Sequence, residues 1–193
     1  MAGPTRLPPI DECAADPSFV RFREGLLAAA GKHDVNGLMD ALDEGVQIDF
    51  GGGQGKQAFR QKWFAVDADK DKIWSELTDA LRLGCAIRDG IAIAPSFAAQ
   101  LDPDADIYET VLAKRGAVVR GDDAETGKVL THLDWDVLTI SAWSKSGDSV
   151  EVKLPDGRTG FVQMKDIRTA ADYRLTMVKR HGAWHITAFV AGD

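Results

Sequence analysis

The run Leu154-Pro-Asp-Gly-Arg-Thr-Gly-Phe-Val162 constrains this chain more than any other stretch. Before it, Ser149-Val-Glu-Val-Lys153 alternates apolar and polar residues, the period of a half-buried strand. Pro155 presets its φ for the first central position of a turn. Asp156 suits the second, and Gly157 takes the left-handed conformation that a three-residue hairpin loop needs. Gly160, Phe161 and Val162 then start a returning strand. Local physics predicts a hairpin here and nothing more specific.

The runs upstream narrow the reading. Ala117-Val-Val-Arg120, Gly127-Lys-Val-Leu130 and Trp135-Asp-Val-Leu-Thr-Ile140 are short strand-like segments separated by polar turns. Strands at that spacing predict a small barrel. In this order, ending on the Leu-Pro-Asp-Gly-Arg-Thr-Gly-aromatic-Val hairpin, residues 108–170 resemble the bacterial SH3 (SH3b) family. The resemblance implies an all-β barrel that binds a cell-wall peptide, a glycan or an envelope protein. The family carries a ligand-facing Trp where Ser149 stands here, and Trp143, six residues earlier, is the candidate to replace it. The residues expected to touch a ligand are Trp135, Trp143, Arg158 and Phe161.

A chain of 193 residues holds one domain or two small ones, and an apolar fraction of 45% is ordinary for a folded protein. The net charge is −7, with no block of basic residues, so the clustered Lys and Arg that nucleic acid binding requires are not visible. No apolar run is long enough to span a membrane. The first ten residues contain three prolines and no apolar segment, so they predict an extended arm rather than a signal peptide. The expectation is a cytoplasmic protein, or a periplasmic or secreted one whose leader has been removed. The second fits the SH3b resemblance. Cys13 and Cys85 match no zinc spacing and read either as two buried thiols or as one disulfide.

Asp16-Pro-Ser18 is a helix start, followed by Phe19, Phe22, Leu26, Leu27 and Ala30 at helical spacing, with Gly31 as the stop. Asp34 caps a second helix. Val46, Ile48 and Phe50 alternate as a strand, which a glycine-rich stretch then breaks. A third helix runs through Phe59 and Trp63. A fourth runs from Ile73 to Gly84. Residues 86–94 predict a short strand pair around Asp89-Gly90. The polar stretch 99–107 marks a domain boundary. Beyond the barrel, Tyr173–Arg180 and Ala183–Val190 form a second hairpin, which needs a partner surface. It is expected to fold back on the strand at 45–50. The fold class is therefore α+β: residues 1–100, completed by the hairpin 171–193, with the SH3b-like barrel at 108–170 between them. The helices, strand, glycine break and closing hairpin are similar to the NTF2-like fold. That resemblance implies a small-molecule pocket, with or without catalysis, lined by Asp49, Trp63 and Trp74, with the barrel as lid or dimer contact.

No catalytic constellation is visible. Gly51-Gly-Gly-Gln-Gly-Lys-Gln57 misses the phosphate-loop pattern at both ends, with Phe50 and Gln57 in place of Gly and Ser/Thr. The alternating aspartates at 67–71 and 102–106 lack the Gly and Glu of a calcium loop. His181 and His185 fall in a hairpin and do not converge. Neither cysteine has an adjacent His, and no nucleophile elbow occurs. The function expected is that of a non-catalytic envelope protein without cofactor or metal, binding a peptidoglycan peptide or a protein partner.

Overall fold

The computed structural model describes residues 5–192, so the first four residues of the expected arm lie outside it. The elements in chain order are α1 (Pro17–Lys32), α2 (Val35–Ala41), β1 (Leu42–Gln47), α3 (Lys56–Phe64), α4 (Lys72–Arg82), β2 (Ala86–Arg88), β3 (Ile91–Ala94), β4 (Thr110–Ala113), β5 (Val118–Arg120), β6 (Val129–His132), β7 (Val137–Trp143), β8 (Ser149–Lys153), β9 (Thr159–Gln163), β10 (Ile167–Thr169), β11 (Arg174–Arg180) and β12 (Ala183–Val190). The class is α+β. The chain divides into a helical unit, residues 9–101 with 173–192, and a strand unit, residues 102–172 with 5–8.

In the helical unit, Asp16 starts α1 by accepting the Ser18 N–H at 2.7 Å, with Pro17 at the first helical position. Gly31 does not stop the helix. The stop is His33, left-handed at φ 52. Its N–H reaches Ala30 O at 3.2 Å, and the Asp34 N–H reaches Ala29 O at 2.8 Å. These are the two bonds of a Schellman end, and they satisfy the last carbonyls without a glycine. The Asp34 side chain then caps α2 by accepting the Gly37 N–H at 3.0 Å.

The expected strand at 46–50 is displaced toward the N-terminus. Leu42–Gln47 pairs in parallel with β12, whereas Ile48 donates to Gly53 O at 3.0 Å and turns the chain back. Phe50 is left exposed. The sheet order is β1-β12-β11-β3-β2. Ile73, Leu77, Ala80 and Leu81 form one apolar stripe on α4, and they share a core with Phe19, Leu175, Met177 and Ile186. The cysteines are bonded, with Cα atoms 5.7 Å apart.

The Asp16 carboxylate also accepts the Ser18 hydroxyl and the Lys179 ammonium, at 2.7 and 3.0 Å. Ser18 first and Lys179 next hold its pKa well below the usual range. A depressed carboxyl stabilises the fold above its unfolded pKa, and that contribution is lost as pH falls through the folded value. Asp16→Asn should therefore melt below the wild type at neutral pH. The gap should narrow once the pH drops below about 4. Thermal melts across that window check this, and a gap constant with pH would contradict it.

In the strand unit, the hairpin turn closes with Gly157 N–H to Leu154 O at 2.9 Å and Leu154 N–H to Arg158 O at 2.8 Å. Gly157 sits at φ 88. The seven strands are ordered β10-β4-β7-β8-β9-β5-β6, every neighbour antiparallel. The expected closed five-stranded barrel is not formed. β4 and β10 add at one side, the β5–β6 hairpin at the other, and no ladder joins β10 to β6 among the described residues. A single core of Val111, Val119, Leu138, Val150, Val152 and Val162 serves the whole sheet, so the sheet bends over its own apolar face. None of the described helices is long and apolar enough to cross a membrane.

Candidate functional site

Antiparallel pairing brings three connections of the strand unit to one end of the sheet. They are the β5–β6 loop, the β7–β8 loop and the 3-10 turn Met164–Asp166 before β10. Together they line a cavity of about 380 Å³ with Asp123, Glu125, Ser146, Asp148, Gln163 and Lys165 on its walls. The framework is held from the backbone. Met164 N–H donates to Asp148 O at 2.8 Å, and the Gln163 amide donates to Asp123 O at 3.3 Å. Asp148 N–H donates to the Ser146 hydroxyl at 3.2 Å.

Lys165 donates to Glu125 across the cavity, which holds the Glu125 pKa down and the Lys165 pKa up. Both groups therefore stay charged at neutral pH. The remaining carboxylates, Asp123 and Asp148, leave the lining acidic by two charges, three carboxylates against one ammonium. A smaller hollow of about 170 Å³ continues past Glu125 and Lys165 to Arg120 and Asp166.

Trp143 stands at the root of the β7–β8 loop. It is the last residue of β7, pairs with Val150, and is 56% exposed. The next residue, Ser144, donates its N–H to Ser149 O at 3.0 Å. Trp143 is thus one rung from Ser149, which is buried.

The other expected ligand residues do not join it. Trp135 precedes β7, half-buried at φ 62, and its carbonyl accepts the Leu7 N–H at 2.9 Å. Seven residues lie between it and Trp143, most of them in β7, a span of up to about 25 Å. Arg158 lies at the hairpin tip, paired to Asp156 at 2.7 Å, and that bond raises its pKa. Phe161 is half-buried opposite Glu151 and Arg120, on the face turned away from the core. The aromatic groove expected from the sequence is therefore split along β7, and the charged loop residues take its place. Glu125, Asp148 and Lys165 carried no sequence signal, because loop charges far apart in the chain look alike until pairing register brings them together.

In the helical unit, Asp49, Trp63 and Trp74 each have separate packing or hydrogen-bond partners. Asp49 is committed to its own loop, accepting the Gly53 N–H at 2.8 Å. Trp63 packs against both Tyr173 and Phe189, at ring distances of 5.0 and 5.6 Å, and those two rings also touch each other. Trp74 packs between His33 and Phe64, at 5.5 and 5.7 Å. The two tryptophans thus belong to different aromatic clusters. Lys62 lies over the Trp63 and Tyr173 rings, and its ammonium donates to Ile48 O at 2.7 Å. Burial lowers its pKa. Among the described residues, no three His, Cys, Asp or Glu side chains are placed to hold a metal ion.

No family model and no curated protein matches the chain. Among solved structures it is similar to a protein titled as a variant of Rd1NTF2. That match has 12% identity and a TM-score of 0.31, covering 90% of this chain and 96% of the other.

Proposed function

We propose that this protein is a non-catalytic component of the bacterial cell envelope, and that its strand unit is an SH3b-like module binding a cell-wall peptide. The observation that carries the reading is the charged cavity at the loop end of the sheet, two of whose lining residues, Ser146 and Asp148, belong to the β7–β8 loop that begins after exposed Trp143. An acidic lining that keeps one ammonium suits a small zwitterionic peptide. Its amino group would meet Asp123 and Asp148, its carboxylate would meet Lys165, and Trp143 would cover its apolar part. The run of short antiparallel strands, with the Leu154–Val162 hairpin, supports the family reading. The Cys13–Cys85 bond supports an oxidising compartment.

The test is retention of the purified protein on peptidoglycan sacculi at ~0.15 M salt, which screens loose charge effects. Trp143→Ala and Asp148→Ala should each weaken retention roughly tenfold, as truncation of a contact residue does. Arg158→Ala at the hairpin tip should not. Clean flow-through of the wild type, or full retention of Trp143→Ala, would refute the proposal.

A further inference from the structure

The helical unit carries a groove that the proposed function does not use. It has a volume of about 470 Å³ and runs between α1 and α2 beside the start of β12. Phe22, Leu26 and Trp184 form its apolar floor. The Trp184 ring is fixed by its N–H, which donates to the Ser18 hydroxyl at 3.1 Å.

The two walls follow from helical spacing. On α1, Arg21, Gly25, Ala28 and Lys32 recur on one face, with a cation at each end and small residues between. Along α2, Asp34, Gly37 and Asp40 place an anion at each end with glycine between. All of these residues except Gly37 are exposed. Among the described residues, Arg21, Lys32 and Asp40 have no ion-pair partner in the chain.

We infer that this groove is the contact between two copies of the chain. A surface with one cationic and one anionic wall is complementary to itself. A two-fold axis along the groove sets the α1 wall of one copy over the α2 wall of the other, and the reverse. Isologous contacts require that relation. Lys32 then lies level with Asp34 of the second copy, and Arg21, whose wall is longer by about 7 Å, reaches back along the groove to its Asp40 through its long side chain, and each pair occurs twice. Gly25, Ala28 and Gly37 let the helix backbones approach closely over the apolar floor. A single amphipathic ligand would leave one of the two walls facing charge of its own sign or none.

Sedimentation equilibrium on the full chain reads this directly, without any wall ligand. A concentration-dependent dimer is expected, weaker as salt is raised. Gly25→Trp should weaken it roughly tenfold or more by holding the α1 wall away from α2 of the second copy. Nothing lies within 4 Å of a Cβ built at Gly25, so the helix accepts the side chain and the variant stays folded. Arg21→Glu should weaken the dimer comparably, and adding Asp40→Arg should restore it. A protein monomeric at every concentration would overturn the inference, as would a dimer that survives Gly25→Trp. Indifference to Arg21→Glu, or failure of the second reversal to rescue, would overturn the two-fold register.

Discussion

Reducing the Cys13–Cys85 bond should lower the unfolding free energy of the helical unit by about 4 kcal/mol in the chain-entropy account. The two cysteines are 72 residues apart, so cutting the bond releases a long loop in the unfolded chain. The native contacts around the bond are close to it in space and should remain after reduction. Cys85 N–H donates to Ile10 O at 2.9 Å, and Glu12 N–H donates to Cys85 O at 2.9 Å. The Glu12 carboxylate accepts the Ile87 N–H at 2.7 Å. They fix where the segment lies but do not restrict the unfolded state, which is where the cross-link acts. Urea unfolding with and without reductant, and of the double variant Cys13→Ser/Cys85→Ser, reads the effect. The midpoint should fall in both cases. The slope should hold or rise slightly, because an uncross-linked chain exposes more surface. The strand unit contains neither cysteine, so its transition is an internal reference. A midpoint shift worth less than about 0.5 kcal/mol would mean the unfolded chain keeps these ends together without the bond.

Much of this fold was legible wherever a residue type acts through its own backbone. Asp16, Pro17 and Ser18 announce α1, and Pro155, Asp156 and Gly157 announce their turn, because caps and turns depend on a few adjacent residues. β4 and β10 were not legible. Thr110–Ala113 and Ile167–Thr169 are short and wholly buried, so they show no alternation to detect. The end of α1 was misplaced because Gly31 looks like a stop, whereas the left-handed residue is His33. The candidate site was the least legible part. Asp123, Asp148 and Lys165 meet only through the pairing of β7, β8, β9 and β5, and nothing local encodes that register. The tryptophans show the converse. Trp135 and Trp143 were both visible as aromatics of a binding module, but β7 puts them at opposite ends, and only Trp143 reaches the loop end of the sheet.

Gly160→Ala should destabilise the strand unit by about 2–3 kcal/mol, the upper range for overpacking a core. A Cβ at that position would lie 2.5 Å from Val119 Cγ1, 2.7 Å from Arg120 O and 3.0 Å from Leu130 Cδ1. Side chains can rotate aside, but the Arg120 carbonyl belongs to β5, which pairs with β9 through Arg120 and Phe161. Relief would require β9 to move off β5. Gly157, three residues earlier in the same hairpin, is glycine for a different reason. A Cβ there meets nothing within 4 Å, but the residue sits at φ 88. Gly157→Ala should therefore cost only the left-handed backbone penalty, about 1–2 kcal/mol, and Gly157→Asn less. At Gly160 an Asn would do no better than Ala, because contact rather than conformation sets the limit. Urea midpoints of the four variants separate the two causes. The Gly160 variants should also lose sacculus retention, since a displaced β5 carries Asp123 and Glu125 with it. A Gly160→Ala protein as stable as wild type would show that β5 yields freely. The loop cavity would then lack the rigid frame that the wall-binding proposal requires.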